Sequence, residues 1–305
     1  MTRVRLTEVG PRDGLQNEQA QISTAAKIAF VDALTAAGHS QIEVSSFVRP
    51  DRIPAMSDAE AVFDGISRRE GVRYIGLVAN ERGLERAMTA ECDTIAVFTA
   101  VSSRFALANV GMTVDESLER YAELTATSRA AGIAVRGYVS TIFKCPFGGT
   151  IDPTDVLRVA RQLLDMGCYE VSLGDTTGVG TPSDVRKLLD VIVPELGAEV
   201  IALHLHDTWG MAIANAMTGL DYGVLHYDAS AGGLGGCPFA KGASGNLATE
   251  DILYMFDGLG YESGVALDAV VDASEALAGA LDHPLSSRVH AALMAQRADA
   301  GGKSC

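Results

Sequence analysis

Short apolar, β-branched runs alternate along this chain with longer stretches whose apolar positions recur at helical spacing. The short runs predict strands at Val4–Val9, Gln41–Val44, Arg73–Leu77, Thr94–Thr99, Ala134–Phe143, Glu170–Gly174, Val200–His206 and Tyr227–Ala231. The longer stretches predict helices near 23–37, 57–69, 81–90, 114–131, 153–166, 182–196 and 210–222, with another after Asn246. Ser23, Ser57, Thr113, Asp152 and Thr181 suit N-caps, and Pro153 and Pro182 suit first helical turns. Strands alternating with helices imply right-handed βαβ units and a parallel sheet. An open doubly wound sheet is the competitor. The turn after the first strand reads Gly10-Pro11-Arg12-Asp13-Gly14, without the Gly-x-Gly-x-x-Gly fingerprint of dinucleotide binding. Polar residues also cluster after strands one, two, six, seven and eight alike, and a closed barrel brings all those ends to one face. The expected fold class is therefore α/β, a (β/α)8 TIM barrel forming one domain over 1–305. An Ala-rich helical extension follows over 259–298. One internal echo stands out: strands six and seven both run into Asp-Thr-x-Gly, at Asp175–Gly178 and Asp207–Gly210.

Composition narrows the function. The 305-residue chain carries a net charge of −15, the wrong sign for a nucleic-acid binder. It contains no uninterrupted apolar run of the roughly 18 residues a membrane helix needs. The N-terminus has no apolar leader segment, and the five cysteines, an odd number, form no paired framework. Reduced thiols in a cytoplasmic enzyme are expected. An anionic ligand must then be recognised locally, because the overall field repels it.

The candidate chemistry lies at the strand ends. His204 and His206 are two apart on a strand, so both rings face one side and form a two-nitrogen metal clamp. Asp13 offers a carboxylate and Arg12 a fixed positive donor, although a plain ion-paired turn would read the same way. Residues 232–246 hold six glycines, a loop whose backbone can approach a ligand closely, with Cys237 presented in its middle. Asn246 closes that loop, either as a neutral oxygen ligand or as the N-cap of the next helix. Glu43 and Asp175 are acid–base or orienting groups, and Asp207, alternating away from His206, is either structural or a support behind the ligands. Asp13, His204, His206 and Asn246 make a mixed oxygen–nitrogen set that suits Mg²⁺ or Mn²⁺ better than structural zinc. Such an ion is a Lewis acid suited to aldol- or Claisen-type cleavage.

These motifs resemble the 3-hydroxy-3-methylglutaryl-CoA lyase family over nearly the whole chain. The matching stretches are Val9–Glu18, Ile42–Phe47, Met166–Pro182, His204–Thr208 and Gly232–Asp251. The resemblance implies cleavage of the CoA ester to acetyl-CoA and acetoacetate. It implies metal ligation by Asp13, His204, His206 and Asn246, and stabilisation of the enolate-like thioester oxygen by Arg12. Cys237 would assist proton transfer, His204 would double as a relay, and Glu43 and Asp175 would support them. Arg12 and Gln16 are the expected substrate contacts. The expected partner is an acyl-CoA, with no nucleic acid and no membrane, and the expected assembly is a homodimer.

Several positions depart from the family pattern. Ser102–Gly111 lacks the Glu and paired Lys usual there, and Leu205 replaces a frequent Cys. Trp209 and Met211 stand where Tyr and Gln are common, and Arg49–Arg52 differs from the usual Ser-Pro-Lys. All lie around the mouth, which points to a branched or longer 3-hydroxyacyl-CoA as an alternative substrate. A condensing synthase of the isopropylmalate or homocitrate type is the nearest rival. A non-catalytic metal- or CoA-binding protein is the rival from another class.

Overall fold

The computed structural model describes residues 2–236 and 245–302. Eight parallel strands close on themselves in chain order: β1 (Arg5–Glu8), β2 (Gln41–Ser46), β3 (Arg73–Leu77), β4 (Thr94–Ala100), β5 (Ala134–Ser140), β6 (Val171–Asp175), β7 (Ile201–Leu205) and β8 (His226–Ala229). Closure is made by β1 against β8, in register from Arg5 opposite His226 to Glu8 opposite Ala229. The helices between are α1 (Thr24–Ala36), α2 (Ala59–Gly65), α3 (Glu81–Thr89), α4 (Ser103–Val110), α5 (Val114–Ala130), α6 (Pro153–Met166), α7 (Pro182–Leu196) and α8 (Ala212–Asp221). They are followed by α9 (Thr249–Leu259), α10 (Leu267–Ala278) and α11 (Arg288–Gly302). This is the expected (β/α)8 barrel with C-terminal helices. Among the described residues no helix is long and apolar enough to cross a membrane.

Local chemistry explains most boundaries. Ser23 and Asp152 accept N–H bonds from Ala26 and Thr154, and Thr113 exchanges bonds with Glu116 in a reciprocal cap. Ser57 does not cap. Helix α2 starts two residues later behind Asp58, whose carboxylate is taken by Lys27 Nζ and Thr24 Oγ1, both at 2.7 Å. Strand β5 stops at Ser140, not Phe143, because Thr141 adopts φ +62° and turns the chain. Helix α4 falls where no helix is expected; Ser102 caps it and Gly111 closes it in the left-handed conformation.

The main core lies between the strands and the surrounding helices. Inside the barrel a separate apolar cluster (Ile75, Leu77, Ala96 and Tyr138) lines the β3–β5 side. The opposite side is charged, which is unusual for a buried layer and marks where chemistry can occur. The C-terminal helices are docked rather than appended. Helix α10 packs on α1, Ala266 N–H bonds to Ala37 O at 2.8 Å, and Val4 N–H bonds to Glu262 O at 3.0 Å.

Candidate active site

The chain leaves β1 through a five-residue π-type turn, Gly10–Gly14, with Pro11 near its start. The N–H groups of Arg12, Asp13 and Gly14 converge on the Val9 carbonyl at 3.2, 2.7 and 3.1 Å. Such turns are rare and concentrate at functional sites. Glu8 fixes this one from below. Its carboxylate accepts N–H bonds from Gly10 (2.8 Å) and Ala231 (2.9 Å) and the Thr249 hydroxyl bond (2.7 Å). Burial lifts Glu8 to about 8, against the pull of these three donors.

The turn places Arg12 between two carboxylates. Nη1 lies 2.6 Å from Asp13 Oδ1, and Nη2 lies 2.6 Å from Glu43 Oε2 on β2. Tyr138 donates its hydroxyl to the same Glu43 oxygen at 3.2 Å. Burial raises Glu43, and Arg12 opposes the rise. Burial also disfavours ionised Asp13, but Arg12, followed by His204 and His206, outweighs it and holds Asp13 at about 2.

Asp13, His204 and His206 offer ligand atoms that all lie within 4.8 Å of one another. The two Nε2 atoms face each other at 3.1 Å, and His204 Nε2 lies 3.9 Å from Asp13 Oδ2. Burial, then His204, pushes His206 down to about 4, keeping it a neutral ligand. Asn246 joins them by an antiparallel bridge to His206, with Leu247 N–H bonded to Leu205 O at 2.8 Å. It does not cap the next helix, since Ala248 precedes α9. Its Nδ2 donates to Asp13 Oδ2 (2.8 Å) and Leu234 O (3.0 Å), while its buried Oδ1 has no hydrogen-bond partner among the described residues. An orphaned amide oxygen beside a carboxylate and two imidazoles fits a hard divalent cation, and Mg²⁺ and Mn²⁺ both suit that donor set. Gly235 abuts this group at φ +104°, where a Cβ would come 2.7 Å from Asn246 Nδ2.

The remaining expected residues divide. Gln16 keeps a buried Oε1 with no partner among the described residues, an acceptor suited to substrate. Cys237 lies outside the described residues. The loop that carries it is anchored at both ends: Asn17 Nδ2 donates to Gly236 O at 2.8 Å, and Asp207 N–H donates to Gly245 O at 3.0 Å. Asp175 is buried and lifted to about 6 by burial, partly offset by N–H bonds from Gly180 and Val179. Both its oxygens are thus engaged in shaping the β6 turn.

The Asp-Thr-x-Gly echo is structural. Asp175 accepts from the N–H five residues on, Gly180, and Asp207 does the same with Ala212. The two turns stack, and Gly178, at φ +62°, leaves no room for a Cβ, which would meet Thr208 Oγ1 at 2.6 Å.

Sequence reasoning missed the charges beneath the site. Arg136 on β5 is fully buried, paired with Glu170 (2.7 Å) and with Asp228 on β8 (2.7 Å). Asp228 also meets His204 Nδ1 at 3.2 Å. The available signal was a charged residue inside each of two apolar strand runs, at Arg136 and Asp228.

Known proteins are similar to this chain in sequence and barrel. The family model described as HMGL-like matches residues 3–277. A Pseudomonas aeruginosa protein named 3-hydroxy-3-isohexenylglutaryl-CoA/hydroxy-methylglutaryl-CoA lyase is 46% identical over 294 residues, covering 96% of this chain and 98% of its own. The crystal structure of hydroxymethylglutaryl-CoA lyase from Pseudomonas aeruginosa superposes with a TM-score of 0.94 at 46% identity, covering 97% of this chain and 98% of that one. The structure of an HMG-CoA lyase from Acinetobacter baumannii in complex with coenzyme A and 3-methylmalate gives 0.90 at 36% identity, covering 94% of each chain. With most of its length matched by the family model and its barrel shared with these lyases, the chain belongs to the HMGL-like family.

Proposed function

We propose that this chain cleaves 3-hydroxy-3-methylglutaryl-CoA into acetyl-CoA and acetoacetate. The observation that carries the reading is the convergence of Arg12, Asp13, His204, His206 and Asn246 at one barrel mouth. That the relatives are named lyases favours cleavage over condensation.

Asp13, His204, His206 and Asn246 would hold the divalent cation, Mg²⁺ or Mn²⁺. Once bound, such an ion would supply Lewis acidity that acidifies the substrate's tertiary hydroxyl. Removing the hydroxyl proton lets that oxygen form the ketone of acetoacetate. The C–C bond pair then passes to the departing carbon, conjugated with the thioester. Arg12 meets the charge that develops on the thioester oxygen, a contribution worth about 3–4 kcal/mol for one such donor. Because a guanidinium stays charged, it stabilises that oxygen without giving up a proton. The hydroxyl proton leaves to solvent at the mouth, since His204 is committed to the ion through Nε2 and to Asp228 through Nδ1 and cannot also relay it, and Cys237 delivers a proton to the carbanion to give acetyl-CoA. Glu43 holds Arg12, Asp175 holds the β6 turn, and Gln16 binds substrate.

A second reading is favoured by the 46%-identical relative whose name includes an isohexenyl substrate. Trp209 and Met211, both exposed where the chain leaves β7, suit a larger substituent at the same carbon. Residues 1–305 act as one catalytic unit, in the cytoplasm, where the buried free thiols of Cys92, Cys145 and Cys168 stay reduced. Exposed Met217 and Tyr254 on α8 and α9 support a homodimer, which light scattering would test.

The test is acetoacetate release from the methyl substrate with Mg²⁺ or Mn²⁺, beside an EDTA-treated sample and Cys237→Ala. Release that is lost on chelation and strongly reduced in the variant is expected. No release with metal bound would move the substrate to a relative with a different acyl branch.

A further inference from the structure

We propose that Asp228 is a positioning residue that aims His204 at the cation, and that Arg136 behind it ties this aim to the setting of Arg12. The inference rests on the reading of His204 as a metal ligand.

Asp228 is fully buried on β8. Its Oδ1 accepts from Arg136 Nη2 at 2.7 Å. Its Oδ2 accepts from Ser172 Oγ at 2.7 Å and from Arg136 Nη1 at 3.2 Å, and faces His204 Nδ1 at 3.2 Å. A carboxylate paired with a guanidinium only accepts hydrogen bonds, so the neutral His204 ring must carry its proton on Nδ1. Nε2 then presents a lone pair to the space shared with His206 and Asp13. In the other tautomer, Nε2–H would point at His206 Nε2, only 3.1 Å away. The two intended ligands would then bond to each other. Asp228 therefore does more than steady the ring: it keeps His204 from donating to His206 and leaves its Nε2 lone pair for the cation.

The same guanidinium reaches the other half of the chemistry. Arg136 Nη1 donates to the Tyr138 hydroxyl at 2.8 Å, and that hydroxyl donates to Glu43 Oε2 at 3.2 Å. Glu43 holds Arg12 at 2.6 Å, and Arg12 holds Asp13 at 2.6 Å. Asp13 Oδ2 lies 3.9 Å from His204 Nε2, so the circuit returns to its start. Glu170, bonded to Arg136 Nε at 2.7 Å and to Arg5 at 2.8 Å, fixes the ring from the far end of the barrel. The circuit crosses β5, β8, β7, β2 and the turn after β1. It gives one buried arginine a hold on both the ligand histidine and the catalytic cation.

The test is calorimetric titration of metal-free protein with Mn²⁺, using wild type, Asp228→Ala, Asp228→Asn and Tyr138→Phe. Asp228→Ala should weaken binding by about 10- to 100-fold. Asp228→Asn, whose amide oxygen still accepts from Nδ1, should recover part of the loss. Tyr138→Phe should bind Mn²⁺ within about twofold of wild type while kcat falls with KM little changed, since it removes the hydroxyl that seats Glu43 against Arg12 and none of the ligands' own contacts. Should Asp228→Ala fail to fold, nitrogen-15 NMR of histidine-labelled wild type decides, recorded where the rings are neutral: the Nδ1–H tautomer is expected at His204. Equal Mn²⁺ affinity in wild type and Asp228→Ala, or an Nε2–H tautomer, overturns the proposal alone. Wild type that takes up no Mn²⁺ overturns the metal reading, and this proposal with it.

Discussion

Asn246→Asp tests the geometry of the site before any substrate is added. The substitution keeps the shape but places a second carboxylate where Asn246 Nδ2 now donates to Asp13 at 2.8 Å. Two unit charges at that distance repel by about 6 kcal/mol at an effective dielectric of 20. Protonation sets a lower ceiling. Keeping one ordinary carboxyl protonated at pH 7 costs about 4 kcal/mol, and at pH 5 only about 1.5 kcal/mol. The folded-state value of the introduced carboxyl is raised, so the penalty is absent below its unfolded value and grows as pH rises. At roughly 2 °C per kcal/mol for a chain of this size, the metal-free Tm should fall by about 8 °C at pH 7 and about 3 °C at pH 5. Mn²⁺ cancels the repulsion, so its addition should raise the variant's Tm by more than it raises that of wild type. Differential scanning fluorimetry at the two pH values, with and without Mn²⁺, reads all four numbers. A metal-free Tm equal to wild type, or a fall of the same size at both pH values, would refute the argument.

Gly178→Ala should destabilise the protein by about 1–3 kcal/mol in urea unfolding, since its Cβ would meet Thr208 Oγ1 at 2.6 Å and the backbone sits at φ +62°. Burial disfavours ionised Glu170, but Arg136, His226 and Arg5 outweigh it and hold the group near 2. Its stabilising contribution, about 3 kcal/mol, is therefore present above pH 4.5 and fades as pH falls toward 2. The stability gap between wild type and Glu170→Gln should narrow over that window in acid titrations followed by circular dichroism. Arg12→Gln should lower kcat by 100-fold or more at saturating Mn²⁺, measured as acetoacetate release.

The sequence carried the barrel because its eight strands read as short apolar runs and most of its helices as longer stretches at helical spacing. It carried His204 and His206 because alternation along a strand dictates a shared face. Helix α4 was missed although Ser102 and Gly111 bracket it, because its interior shows no clear apolar stripe. Ser57 misled because the decisive contact, Lys27 with Asp58, joins residues 31 apart. The buried ion pairs were invisible for the same reason. Periodicity tells which way Arg136 and Asp228 face, but only closure of the barrel brings β5 and β8 together. Asn246 stood with two open roles until the bridge to His206 separated them.

The π-type turn after β1 has a consequence for how this lineage can vary. Arg12 and Asp13 owe their directions to one surplus residue, which lets Gly14 N–H reach back five positions to Val9 O. Removing any single residue between Val9 and Leu15 would relax the turn toward ordinary helical winding and swing the downstream side chains by about 100°. Every catalytic side chain could survive such a deletion and still point the wrong way. Along this stretch a substitution can spare the geometry where a deletion cannot, because spacing itself is the information.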